Sequence, residues 1–434
     1  MLKRILVLFL LPVCTAELIS CSYVQKNSTW KPNIYNADIT SDSLFVEKVE
    51  NMPDDFILGM DASSVPSLEK SGVVYSDCDG NEKDVYEILK ENGINYIRVR
   101  VWNDPFDKNG NGYGGGNCDI ENAVEVGRRA SKYGMKLLVN FHYSDFWADP
   151  GKQKAPKLWT GLDINEKSDK LYRFTRECLE RLLNEDVDIG MVQIGNETNG
   201  AMCGEYEWES IAKLMTAGVR AVRQVCPNAL AAVHFTNPEK AESFKLYAEK
   251  LAQYGVDYDV FASSYYPFWH GTTENLSNVL SDIAEKYGKK VMVAETSYAF
   301  SSSNTDFHNN TVTSSTVFDK KYPFTYQGQA DHVRDLVNAV VNKTKNGIGV
   351  FYWEGTWISV GGASFEENSR LWEKYGSGWA SSYASEYDPE DAGKWYGGCA
   401  VENQAFFDSR GKATEALKVF GLLKKGNLTA NKET

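Results

Sequence analysis

From Phe56 onward, short runs rich in Ile, Val and Leu alternate with longer segments whose apolar residues recur at helical spacing, and the alternation repeats eight times. The first four runs are "FILGMDAS" (56–63), "YIRVRVW" (96–102), "KLLVNFHY" (136–143) and "GMVQIGNE" (190–197). The second four are "ALAAVHF" (229–235), "VFASSYY" (260–266), "KVMVAET" (290–296) and "GVFYWEG" (349–355). Between them lie segments such as "IENAVEVGRRASKYG" and "NLSNVLSDIAEKYG", which end in the glycine that helix C-termini favour. Repeated βα units imply a parallel sheet, and eight of them close into a (β/α)8 TIM barrel that ends with the helix "ATEALKVFGLLK". An open doubly wound sheet is the alternative, but the first βα turn, "GMDASSVPS", has no GxGxxG phosphate fingerprint.

Before Phe56 the pattern changes. Residues 1–21 begin with Lys3 and Arg4, run apolar from Ile5 to Val13 and end in small and polar residues, which predicts an export signal too short to span a bilayer. Its end, "LISC", resembles the lipobox of bacterial lipoproteins, which implies a lipid on Cys21; plain cleavage after Ala16 is the rival. Residues 22–53 read as a tether or wrapping arm, 54–425 as one catalytic domain with long βα loops at its C-terminal face, and 426–434 as a tail. The expected location is the cell surface or outer membrane, with periplasm or medium as alternatives, and any membrane contact is an anchor.

With 434 residues, 42% of them hydrophobic and 13% aromatic, the chain has enough apolar material for a barrel of this size. The formal charge of −13 becomes one unit more negative once the signal is removed, which argues against nucleic acid as a partner. Six cysteines remain beyond Cys14 and Cys21, with no CxxC pair, so zinc is not expected, and Cys178 in "RECLERLL" reads as a core residue. A monomer is the expectation.

In a barrel, catalytic groups collect at the C-terminal ends of the strands. Those ends are polar here: Asp61; Arg98, Arg100 and Trp102; Asn140 and His142; Asn196 and Glu197; Tyr265 and Tyr266; Glu295; Trp353 and Glu354. Alternation puts Arg98, Arg100 and Trp102 on one face of their strand, so all three point inward or none does. One glutamate at a strand end usually caps a helix or meets solvent. Two, on strands four and seven, are placed to face each other over a substrate, and paired carboxylates are what glycosidic hydrolysis needs. His142 reads equally as a site residue or a satisfied core histidine. Trp102, Trp147, Trp269 and Trp353 offer flat apolar faces to a pyranose, those in loops being as readily explained by packing.

The pairing of "IGNE" with "VAET" resembles the retaining glycosidases of clan A. More specifically, "YIRVRVWNDPFD", "NFHYSDFWADPGKQKAPKLW", "VQIGNETNGAM", "SSYYPFWHGT" and "VMVAETSYAF" resemble glycoside hydrolase family 53, the arabinogalactan endo-β-1,4-galactanases, over about Phe56 to Leu423. The resemblance implies cleavage of β-1,4-galactan or type I arabinogalactan from pectin, with Glu197 as acid/base and Glu295 as nucleophile. It further implies Asn196 on the sugar 2-hydroxyl and Tyr266, or its neighbour Tyr265, on the nucleophile. Asp61, Arg98, Arg100, Trp102, His142 and Trp353 complete the expected substrate site. An Arg98 or Arg100 pointing inward would keep Glu295 ionised, and the charge of Glu295 would raise the pKa of Glu197. No organic cofactor is implied. Alternatives are another clan A endo-glycanase, a mannanase or xylanase, and a catalytically silent glycan-binding lipoprotein.

"DKNGNG" from Asp107 opens like an EF-hand loop, but its twelfth position is Cys118 rather than Glu, which argues against calcium there. After strand seven, "NTDFHNN" sets Asn304, Asp306, His308 and Asn310 at alternate positions. Bacterial members of the resembled family hold structural calcium between the loops after strands seven and eight, which implies these four with Asp388 as its ligands. Histidine is an unusual calcium ligand, so a solvated polar loop is the competing reading.

Overall fold

A computed structural model describes residues 44–315, 321–362, 364–394 and 396–427. The signal with Cys21, residues 22–43 of the arm and residues 428–434 of the tail lie outside the described residues. All eight expected strands form: β1 (Ile57–Asp61), β2 (Tyr96–Val101), β3 (Lys136–Phe141), β4 (Ile189–Ile194), β5 (Leu230–Phe235), β6 (Val260–Ser264), β7 (Lys290–Glu295) and β8 (Gly347–Tyr352). Each pairs in parallel with its neighbours in chain order, and β8 returns to β1 to close the barrel.

The helices between them start where the sequence caps them. Asp163 and Glu166 form a reciprocal capping box at the head of Ile164–Leu183, and Asp119, Thr272 and Thr325 each accept a backbone N–H of the helix that follows. The last segment differs from its expected single helix. "ATEALKVFGLLK" forms a 3-10 turn (Glu415–Lys418) and one α-turn (Val419–Leu422).

The domain also starts earlier than residue 54. Leu44, Val46 and Val49 are buried in the main core, Val49 N–H donates to Leu423 O at 2.8 Å, and Asn427 bonds the backbone of Leu44 and Val46. The described part of the arm is therefore strapped across the chain's C-terminal end by burial of three aliphatic side chains.

Inside the barrel the period of two sorts the layers. Ile57, Leu138, Met191, Ala232, Ala262, Met292 and Phe351 make an apolar floor. Gly59 belongs to this layer, since a Cβ there would fall 2.0 Å from the Phe351 ring. One or two steps toward the C-terminal ends of the same strand faces stand Asp61, Arg98, Arg100, Asn140, Gln193, His234 and Ser264, all buried. The barrel is thus greasy at its base and polar at its mouth. Over the mouth, loops after β2, β3 and β8 build a second core of aromatics that includes Trp102, Phe146, Trp147, Trp357 and Trp372.

Candidate active site

Two local distortions aim the carboxylates. In β7, Val293 pairs with Ser263 but Glu295, not Ala294, pairs with Ser264; this bulge brings Glu295 to the mouth although Ala294 already belongs to the barrel interior. At β4, Gly195 (φ +83°) and Glu197 (φ +48°) turn the chain over as it leaves the strand. A left-handed glutamate is a strained choice that the surrounding contacts must hold, and such residues gather at functional sites. Both carboxylates line one cleft of about 360 Å³, together with Asn196, His142, Tyr266 and Trp353.

Arg98 ties the floor together. Its Nη2 lies 2.8 Å from Glu295 Oε1 and donates to Asn196 Oδ1 at 2.9 Å, while its Nη1 pairs with Asp61 Oδ2 at 3.1 Å. Tyr266 Oη donates to the other oxygen of Glu295 at 3.1 Å. Burial lifts the Glu295 carboxyl above its ordinary range and Arg98 opposes it. With cationic and phenolic donors on its two oxygens, Glu295 is the better stabilised anion of the pair.

Among the described residues no cation is paired with Glu197. Burial first, and then the charge of Glu295, push its carboxyl up to about 8, against the pull of a hydroxyl bond from Ser264 at 2.6 Å. The order of causes differs from the sequence expectation, which credited Glu295 alone. The two carboxyls are thus held unequally, Glu197 as the better proton carrier and Glu295 as the better anion, which is the asymmetry that an acid/base and a nucleophile need.

Arg100 points inward as Arg98 does, but serves a different partner. Its Nη1 is ion-paired with Glu354 in a very short contact, Nη2 donates to Ser64 Oγ and Gly115 O, and its guanidinium lies 4.4 Å from the Trp147 ring centroid. Trp147 in turn stacks on Trp379 at 4.5 Å and 18°. Trp353, Trp379 and the half-exposed Trp269 also line the cleft, giving aromatic surface from the segments after β6 and β8. Asn140 Oδ1 and Trp379 Nε1, from two cleft-lining residues, are buried and have no hydrogen-bond partner among the described residues.

Three expected site residues lie elsewhere. β2 ends at Val101, and Trp102 is wholly buried beside Trp147, its indole N–H donating to His142 Nδ1 at 3.1 Å; it orients His142 and offers no face to a sugar. Tyr265 is buried in the main core with its hydroxyl on Gly271 O, and it is Tyr266 that bonds Glu295. Asp388 is ion-paired with Lys152 at 3.3 Å. His142 lines the cleft, kept neutral by burial and by Arg98 and Arg100. His234, Ser264 and Trp379 were not singled out in the sequence. The first two share strand faces with Ala232 and Ala262, so alternation could have found them; Trp379 lies in a long loop that no periodicity describes.

The cation candidates resolve differently. "DKNGN" is a tight turn, with Asp107 accepting the backbone N–H groups of Asn109 and Asn111, and "DCDGN" and "DSRGK" repeat it at Asp77 and Asp408. In the loop after β7, Asn304 is used within the chain, accepting from Asp306 N–H and donating to His308 O. Asp306 accepts N–H bonds from His308 and, across the loops, from Cys399. The carboxylate set beside it by the segment after β8 is Glu402, which takes the Thr305 hydroxyl at 2.6 Å and is lifted to about 7 by burial and by Asp306. Asn310 Oδ1 is buried and accepts no hydrogen bond among the described residues. Asp306, Glu402 and the Asn310 amide oxygen are hard donors and fit a calcium ion supplemented by backbone carbonyls; a soft His308 nitrogen fits it poorly.

The sequence profile of glycosyl hydrolase family 53 matches residues 57–420. An endo-β-1,4-galactanase of Bacillus subtilis (strain 168) is 54% identical over 393 residues, 90% of this chain and 91% of its own length. An arabinogalactan endo-β-1,4-galactanase of Humicola insolens is 32% identical over 312 residues, 69% of this chain and 89% of its own. Among solved structures, a family 53 catalytic domain of Ignisphaera aggregans aligns at 37% identity with a TM-score of 0.79, covering 88% of this chain and all of that one.

Proposed function

The chain belongs to glycosyl hydrolase family 53, and from that premise we propose that it is an endo-β-1,4-galactanase that cleaves galactan and type I arabinogalactan by double displacement with retention. The observation that carries the chemistry is the asymmetry of the two glutamates. Glu295, held by Arg98 and Tyr266, attacks the anomeric carbon, and Glu197 gives its proton to the departing glycosidic oxygen. A galactosyl ester on Glu295 then has no negative charge, which removes the larger of the two charges that kept Glu197 protonated. Glu197 becomes the base that takes a proton from the attacking water. Asn196, whose Oδ1 accepts from Arg98 and whose Nδ2 donates to Ala148 O, is fixed beside the acid to meet the 2-hydroxyl. The cleft tryptophans supply apolar faces for the pyranose rings.

Substrate choice is tested by incubating the protein with β-1,4-galactan, xylan and mannan and following new reducing ends. Galactan is the substrate expected to be cut; cleavage of xylan or mannan in its place overturns the assignment.

We also propose that a calcium ion is held by Asp306, Glu402 and Asn310. It would offset the buried Glu402 and the partly buried Asp306 and tie the loop after β7 to the segment after β8. Chelation with EDTA is expected to lower Tm by about 3 °C relative to protein in calcium at 100 times its Kd. An unchanged Tm, with no heat of calcium binding, removes the ion from the account.

The N-terminal segment supports a surface lipoprotein. Labelled palmitate incorporated by the cell is expected on the wild-type chain and absent from Cys21→Ala, and equal labelling of both, or of neither, counts against the anchor.

A further inference from the structure

Behind Glu197 stands a pair of buried residues that the mechanism above does not use. Ser264 Oγ lies 2.6 Å from Glu197 Oε1 and 2.9 Å from His234 Nε2. The direction of these bonds follows from the other side of the imidazole. Gln193 Oε1 accepts from Arg98 Nε, so its amide nitrogen is the atom 3.0 Å from His234 Nδ1, and the Glu197 backbone N–H approaches the same atom at 3.4 Å. Asn196 Oδ1, at 3.1 Å from Nδ1, is already supplied by Arg98 Nη2. Gln193 Nε2 also serves Gly195 O and Asn196 Oδ1, but the Glu197 backbone N–H can only donate, so Nδ1 carries the lone pair and the proton is left on Nε2. That N–H donates to Ser264, and the serine proton is left with one direction, toward Glu197. His234 is wholly buried and has Arg98 nearby, so it stays neutral.

We propose that Ser264, with its hydroxyl proton set by His234, is the positioning residue that turns Glu197 from acid to base in the second half of the reaction. In that step the oxygen of water bonds to the anomeric carbon and the ester bond to Glu295 breaks with its electron pair returning to Glu295. One water proton passes to Glu197. Glu197 must be ionised beforehand in a buried pocket, and a hydroxyl donated to it stabilises that form more than the protonated one. The first step starts from the protonated carboxyl and, with a leaving group that needs no proton, gains little from the bond. The groups facing Glu197 are Glu295 on β7, Asp149 in the loop after β3, Tyr266 after β6 and the hydroxyls of Ser264 and Thr236. Glu295 and Asp149 favour its protonated form, Tyr266 stays neutral at working pH, and of the two hydroxyls Ser264 has the larger effect.

The inference rests on the double-displacement reading and is tested apart from the choice of sugar. A dinitrophenyl β-galactobioside needs no acid for its first step, so the burst of dinitrophenolate reports glycosylation and the steady state reports the water step. Ser264→Ala is expected to keep the burst rate, lose about 10- to 100-fold in steady-state kcat and lower KM in parallel, as a hydrogen bond to a charged group is removed. Its water step should require higher pH, azide should restore turnover, and Ser264→Thr should behave as wild type. A burst and steady state that fall together, without azide rescue, or a steady state left unchanged, overturns the proposal. Should the wild type prefer xylan or mannan, the same comparison on the matching aryl glycoside tests the serine while the galactanase reading alone fails.

Discussion

Glu295→Gln is expected to lower kcat on galactan by about 10⁴-fold or more with little change in galactan binding, because an amide in place of the carboxylate cannot form the ester. The substitution is nearly isosteric and leaves Arg98 paired with Asp61 and bonded to Asn196, so the buried guanidinium keeps a counter-ion. Far-UV circular dichroism and Tm should match wild type. Retention of more than a few per cent of activity in carefully purified variant protein would remove Glu295 from the nucleophile's role.

The second large effect is at Glu197. Glu197→Gln removes the acid, and loss of general acid–base assistance costs about 10²–10⁴-fold. The loss should be near the top of that range on galactan, whose alkoxide leaving group needs a proton. On a dinitrophenyl glycoside the first step should survive, the glycosyl-enzyme should accumulate, and azide should release it as the β-galactosyl azide. The pH profile follows from the same carboxyl. Wild-type kcat/KM should fall on the alkaline side as Glu197, pushed up to about 8, loses its proton. The fall on the acid side should follow protonation of Glu295. In Glu197→Gln, with the activated substrate, the alkaline limb should vanish. Persistence of that limb would assign it to another group.

Much of this was legible from spacing alone. Eight apolar runs are eight strands because each is buried on both faces, between the barrel interior and its helices, and the polar residues at their ends meet at one mouth. Tertiary geometry decided the rest. Trp102 sits on the expected side of its strand, but Trp147 and Arg100 close over it, a layering that strand alternation cannot express. Tyr265 and Tyr266 are adjacent, and which one faces the cleft depends on how the chain leaves β6. The bulge that brings Glu295 inward is invisible in "VMVAET" because it is a register shift against β6. Glu402 and Trp379 come from the long segment after β8, where long-range contacts fix conformation and neither helical nor strand periodicity survives.

The glutamate assignment can be read directly from a trapped intermediate. A 2-deoxy-2-fluoro-β-galactobiosyl fluoride slows both steps and should leave a stable ester on the enzyme. Proteolysis and tandem mass spectrometry are expected to place the added mass on Glu295, in the stretch "VMVAETSYAF". Label on Glu197, or full inactivation with label on neither glutamate, would contradict the account.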